Sequence, residues 1–379
     1  MILFLIVFGV ILYAVEKYSL KHGLDHVTLS TSVDKVLVEP DEPFEWTMTV
    51  KNGKRMMVPY LRISEQVPRG LVFAENDEPV EKKGIMGLRS VLYLAGNQKT
   101  ELVRSVKLTE RGRSFFRGSS VECGDFLGYQ TSIENYPEMV EVVVKPRSYP
   151  HGEISLLLGG YLGDYSVRNS LFEDPVLTIG FREYTGREPF RSISWTQSAK
   201  HNRLLVKQQE CMADLSCTVL LNTECRRSKH VSALLEKTYS MVRSLCEELE
   251  RRHVSYDFYT NGVIAGAMGN WKRVEEGLGA GHLETVLEGL GRMTYDFSEP
   301  VDDFFMRVLK GVRGGSSFVV VTPERTELLD ELVAGLSERS GRKVLVISAE
   351  EIISAEEIKR GDERSLDEKL DRIRKGMEG

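Results

Sequence analysis

The hydrophobic pattern changes period three times along the chain, and each change marks a boundary. Residues 2–15, ILFLIVFGVILYAV, are an uncharged apolar block. Fourteen residues fall short of the roughly 20 that a spanning helix needs. Continuing the helix to Leu20 makes up the length if Glu16 and Lys17 snorkel into the headgroups. No Lys or Arg precedes the block and no small-x-small site follows it, which argues against a cleaved leader. Residues 1–20 therefore read as a membrane anchor that contacts lipid. Lys17 and Lys21 on its carboxyl side favour a single-pass protein of the cell membrane with its bulk in the cytoplasm.

From 27 to 146 the period is two, the mark of half-buried strands. Phe44, Trp46, Met48 and Val50 alternate with polar neighbours, as do Leu102, Val106 and Leu108, and then Val140, Val142 and Val144. Glu39-Pro40-Asp41, Asn52-Gly53, Pro68-Arg69-Gly70, Gly96-Asn97 and Arg111-Gly112 supply the turns. Strands at this spacing with no helix between them predict an antiparallel β-sandwich of immunoglobulin-like size. The fragment GDFLGYQ at 124–130 reads as a sandwich corner.

Residues 147–210 form a connector, of which 147–180 lack clear periodicity. Beyond it, 211–349 alternates apolar strands and amphipathic helices. The strands are 217–222, 254–260, 316–322 and 343–349; the helices are 228–252, 281–293, 300–311 and 324–339. This alternation predicts an α/β domain with a mostly parallel sheet, helices on both faces and right-handed crossovers. In the tail, 350–379, Ser365 and Glu368 form a capping box ahead of Leu366, Leu370 and Ile373, which predicts a short amphipathic helix.

Composition narrows the function. A net charge of −6 argues against nucleic-acid binding, which needs a basic surface. The five cysteines show no CxxC spacing, so reduced thiols are expected over a disulfide framework. No Gly-x-Ser-x-Gly, Walker A loop or HExxH is present, so no catalytic constellation is found and no cofactor is expected. GLGAG at 277–281 follows a charged stretch and reads as a plain turn. Cys225 lies near His230 and basic residues, but nothing in the sequence would orient the imidazole, and a structural thiol is the better reading.

The most distinctive stretch is REYTGREPFRSISWTQSAKHNRLLVK at 182–207. It holds Arg182-Glu183-Tyr184, then Arg191, Ile193 and Trp195, then Ser198 and Lys200. From Phe181 to Glu210 it carries six basic and three acidic side chains within an acidic protein. Two readings stay open. Arg182 and Arg191 could be donors to an anionic partner face. Alternatively Glu183 pairs with an arginine and Trp195 fills a hydrophobic slot, stapling the connector to the sheet.

These motifs, with the apolar start, the β-rich stretch, the GDFLGY loop and the VVVKPR strand, resemble the bacterial and archaeal domain of unknown function 58 family over nearly the whole chain. The resemblance implies a von Willebrand factor A-like (Rossmann-type) carboxyl domain and association with a MoxR-type AAA+ ATPase that assembles or activates other proteins. Two departures stand out: Arg187 and Glu188 replace the family's usual Gly-Asp, and one apolar segment is present where many relatives have two. Metal-binding A domains carry Asp-x-Ser-x-Ser after the first strand, since a hard cation wants a carboxylate and hydroxyls. Here the loop reads Asn222-Thr223-Glu224-Cys225-Arg226, with an amide leading and Arg226 and Arg227 where a cation would rest. Glu224 and Glu324 could supply oxygens only after rearrangement. The sequence therefore predicts a degenerate metal site and a non-enzymatic, membrane-anchored scaffold. The alternatives are a divalent-metal-dependent ligand receptor and, last, a hydrolase built on Cys225 and His230.

Overall fold

A computed structural model describes residues 2–73, 80–82, 85–124, 131–150, 154–155, 158–159, 161, 178–186, 190, 193–209, 216–226, 230–266, 273–311 and 317–352. The chain divides into two compact units. One takes in Met1–Arg147 with Ile264–Ala267 and Leu287–Thr294, and the other takes in the remainder.

The first unit opens with helix α1 (Ile2–His22). The expected helix is thus present, but among the described residues no helix is long and apolar enough to cross a membrane. Exposed Ile6, Val7, Phe8, Val10, Ile11, Tyr13, Val15 and Tyr18 surround its axis. Its carboxyl end is fastened: Lys54 Nζ donates to the carbonyls of Gly23 (2.6 Å) and Asp25 (3.0 Å), and a cation suits that end of a helix.

The sandwich is built from β1 (Val27–Val33), β2 (Leu37–Val38), β3 (Pro43–Asn52), β4 (Val58–Val67), β5 (Leu71–Phe73), β6 (Val80–Lys82), β7 (Ile85–Leu94), β8 (Lys99–Leu108), β9 (Gly112–Gly124) and β10 (Thr131–Val144). They form a four-stranded sheet, β1-β3-β8-β5, and a six-stranded sheet, β2-β10-β9-β4-β7-β6. Every pairing is antiparallel except β2 with β10. The alternation in β3 buries Phe44, Trp46, Met48 and Val50 as its period requires. They divide between two core clusters, one around Trp46 and Phe116, the other around Met48, Leu61 and Val121. The predicted turns fall at strand ends, with Asp41, Gly70, Asn97 and Gly112 all at positive φ. The GDFLGYQ corner after Gly124 lies outside the described residues.

The second unit starts with β11 (Thr178–Glu183), α2 (Trp195–His201) and β12 (Leu205–Gln209), where β11 and β12 pair antiparallel. Then come, in chain order and with Ile264 and Leu287–Thr294 counted in the first unit, β13 (Ser216–Leu221), α3 (Val231–Arg251), β14 (Ser255–Thr260), β15 (Gly262–Ile264), β16 (Arg273–Gly277), α4 (Ala280–Arg292), β17 (Met293–Phe297), α5 (Val301–Gly311), β18 (Ser317–Thr322), α6 (Glu327–Ser340) and β19 (Val344–Ser348). The main sheet runs β16-β14-β13-β18-β19. Strands β14, β13, β18 and β19 are mutually parallel, and β16 joins β14 antiparallel. β18 is buried at every position and β13 at all but its first residue, as strands covered on both faces must be. Phe304, Phe305 and Val308 of α5 and Leu329 and Leu336 of α6 pack on Leu220, Phe318 and Val320. The α/β expectation is met strand for strand. The unforeseen elements are β11, α2 and β12 within the connector, and β15, β16 and β17, short segments in what reads as turn and helix border. The amphipathic helix expected in the tail lies outside the described residues.

Candidate functional site

Strand β13 is followed by β14 on one side and, later, by β18 on the other, so the order reverses between β13 and β18. In open α/β sheets the crevice beyond the carboxyl ends at such a reversal is where ligands bind. Asn222, Thr223, Glu224 and Cys225 leave β13 there, and Thr322 and Glu324 leave β18.

Asn222, 4% exposed, is the hub. Its Oδ1 accepts from Asn261 Nδ2 at 2.9 Å and from the Glu224 amide at 3.1 Å, while its Nδ2 donates to Thr322 Oγ1 at 3.1 Å. Asn261 is fully buried; its Oδ1 accepts from the Thr223 amide (2.8 Å) and hydroxyl (3.2 Å). The carboxylates are committed as well. Glu224 accepts from the Val301 amide at 2.8 Å, at the positive amino end of α5, and pairs with Arg226 Nε at 2.5 Å. Glu324 accepts from Cys225 Sγ at 3.0 Å and from the Arg226 amide at 3.4 Å. The Arg226 guanidinium lies 5.5 Å from the Phe297 ring. A cation here would have to displace protein donors from both carboxylates. Among the described residues no group of three or more His, Cys, Asp or Glu is placed to hold a metal. Arg227 lies outside the described residues.

The thiol chemistry weighed from sequence meets a poor setting. The Cys225 thiol donates to the Glu324 carboxylate at 3.0 Å, so it is engaged by an acid and not by a base. His230 stands exposed as the residue capping α3. Burial pushes the Cys217 thiol up to about 12 and Cys246 well above its ordinary value. GLGAG links the last residue of β16 to the first turn of α4, with Gly279 at φ 110°; the Gly279 amide donates to the Glu250 carboxylate at 2.8 and 3.1 Å, so a side chain of the protein already takes the place an anion would use.

The signature stretch folds into a small module. Ile193, Leu205 and Val206 are buried, with a bridge joining Ile193 to Val206. Ser198, also buried, explains its place in the motif. Its hydroxyl donates to the Ser194 carbonyl at 2.8 Å and accepts from the Leu205 amide at 2.9 Å, locking α2 to β12. Glu183 pairs with Arg203, both exposed, so the expected Glu–Arg pair exists with a partner the sequence did not nominate. The slot expected for Trp195 is not there: the residue is 64% exposed. Trp195 is the first residue of α2, one position after buried Ser194, and it is left to solvent while the bridge seats Ile193. Phe190 is 70% exposed, its ring 6.0 Å from that of Tyr184. Arg182 and Lys200 are exposed, while Arg191 lies outside the described residues.

No family model matches the chain, and no curated protein does. Among solved structures, the CARDB domain of the PF1109 protein from Pyrococcus furiosus is 14% identical, covering 31% of this chain and 91% of that one at a TM-score of 0.21. The cohesin module of a Clostridium perfringens family 33 glycoside hydrolase is 13% identical, covering 31% and 96% at 0.22. The major pilin subunit BcpA of Bacillus cereus is 7% identical, covering 32% and 41% at 0.24. Scores this low carry no argument, and the architecture above rests on strand order and register.

Proposed function

We propose that this protein is a non-enzymatic, membrane-attached docking protein. Its α/β unit serves as a von Willebrand factor A-like platform, and its partner is the MoxR-type AAA+ ATPase that the domain of unknown function 58 resemblance implies. The observation that carries the reading is the exposure of Phe190 and Trp195 on a module that buries Ile193, Leu205 and Val206. Water-exposed aromatic rings held by an ordered scaffold, with Arg182 and Lys200 beside them in sequence, have the composition of interface anchors. The sheet-end crevice supports the same reading, since its polar groups satisfy one another and leave a formed surface. The apolar side chains exposed around α1 suit lipid, with Lys17 and Lys21 at the headgroups and the bulk of the chain on the cytoplasmic side.

The test is capture of a purified MoxR-type ATPase from the same genome by the full chain in nanodiscs. Phe190→Ala and Trp195→Ala together should weaken capture about tenfold or more, with circular dichroism unchanged. Equal capture by the folded double variant defeats the reading.

A further inference from the structure

The outer face of the six-stranded sheet carries a basic groove at one end. Along β9, Phe116 belongs to the core, so the alternation puts Arg113, Phe115 and Arg117 together on the other face. Register sets Gln66 of β4 opposite Arg117 and Glu141 of β10 opposite Phe115, on that same face. The turns after β4 and β8 close the end with Arg69, Glu110 and Arg111. All of these but Glu141 line one groove of about 460 Å³, whose wall holds four arginines against one acid.

Two of the arginines are fixed in place by the fold, and a third is tied to them through Phe115. That ring's centroid lies 4.9 Å from the Arg113 guanidinium and 5.5 Å from that of Arg117. Arg113 is held on two further sides. Its Nε donates to Glu141, which Arg292 also engages at 2.9 Å, and the Gly266 backbone lies so close that a Cβ there would overlap the guanidinium. Arg111 Nη1 donates to the carbonyls of Leu290 (2.7 Å) and Met293 (2.8 Å). All of these residues belong to the first unit. Guanidinium groups positioned beforehand lose little freedom on binding, as a recognition site requires. Arg117 is the exposed member, and among the described residues no carboxylate engages it.

A guanidinium donates and never accepts, and its planar fork matches a phosphate or a carboxylate. Two of them sharing one ring are close enough for a ligand with two anionic groups to engage both. The volume falls in the range of small-molecule sites. The strand also says where such a ligand comes from. At the other end of β9, Cys123 packs against the end of α1, where a Cβ on Gly23 would come 2.7 Å from its Sγ. Arg113 lies ten residues away, roughly 30 Å at about 3.3 Å per residue. The groove therefore stands clear of the headgroups that α1 would meet, and its ligand comes from solution.

We propose that this groove binds a soluble small molecule with two anionic groups, phosphate or carboxylate, held by Arg113 and Arg117 across Phe115 and by Arg69 and Arg111 from the turns. The probes are pyrophosphate and citrate, titrated calorimetrically into the full chain in nanodiscs of neutral lipid, against sodium chloride of equal ionic strength. At least one should bind saturably at one site with a Kd below about 1 mM, and the tighter of the two names the chemistry. Arg69→Ala with Arg117→Ala, both on exposed side chains, should weaken binding about tenfold or more; Arg117→Gln alone serves if the pair does not fold. Arg89→Ala, exposed on the same sheet face but outside this groove, should leave binding unchanged, as should anionic lipid added to the nanodiscs. The proposal is overturned by the absence of saturable heat up to about 10 mM of either probe, by equal binding in the Arg69 and Arg117 variants, by an equal loss in Arg89→Ala, or by competition from the lipid.

Discussion

The carboxamides of Asn222 and Asn261 meet at 2.9 Å beyond the end of the parallel sheet, and through them β13, β14 and β18 are tied into one polar knot. Each amide uses oxygen and nitrogen together, which a carboxylate at either position could not do. Asn222→Ala should therefore destabilise the α/β unit by about 2–4 kcal/mol, since Asn261, Thr322 and the Glu224 amide lose partners in a buried setting. Urea melts followed by probes in each unit check this. The transition of the sandwich should stay where it is.

Metal addition tests the same corner from the other side. With Glu224 held by Val301 and Arg226, and Glu324 by Cys225, millimolar magnesium or calcium should leave the melting temperature of the wild type unchanged. A rise with either ion would favour the receptor alternative.

Glu65 gives the sandwich a pH dependence of definite sign. Its folded value, about 8, lies above the 4.5 of a free glutamate because burial penalises the charge. Arg104 Nη1 lies 3.9 Å from Oε2, too far for a hydrogen bond, and does not offset that penalty. Stability owed to the neutral form is fully present below about pH 4.5, falls as pH rises toward 8, and is flat beyond. Glu65→Gln should abolish the slope and stabilise the sandwich by a few kcal/mol at pH 9. Melts of both proteins across pH 5–9 decide it.

Ser198→Ala removes the only side-chain acceptor that the Leu205 amide has among the described hydrogen bonds. A cost of about 1–3 kcal/mol to the module is expected, seen as faster proteolysis around residues 194–206 with the core transitions unchanged.

Thiol reactivity follows from burial. Under native conditions Cys217 and Cys246 should resist a neutral alkylating reagent, because burial raises both thiols and denies access. Mass spectrometry of the alkylated protein reads this directly. Cys225, half-buried and held by Glu324, should react slowly, and faster in Glu324→Gln.

What could be read from sequence was whatever periodicity controls. The runs around Val219 and Val320, and the stripe of Leu234, Leu245 and Leu249, could only be buried strands and a one-sided helix, and their bounds fall within a few residues of those expected. Periodicity could not find Glu65. Ser64-Glu65-Gln66 reads as three polar residues, and only the register of β4 turns the middle one into the core. Asn261 was hidden in the same way, inside Thr-Asn-Gly, which looks like a turn. Trp195 was misplaced because a large aromatic beside an arginine-rich run suggests glue, whereas the inward positions of its segment belong to Ile193 and Ser198. Ser198 was noticed as part of a motif, but its role as a backbone partner emerged only once α2 and β12 were side by side.

The Lys54 ammonium, seated on the carbonyls of Gly23 and Asp25 just past α1, makes the joint between that helix and the β3–β4 bend of the sandwich a clamp and not a tether. A torque applied to the helix by its surroundings would reach the β3–β4 bend directly, so the sandwich would tilt with its stem in the manner of a mast stepped into a hull.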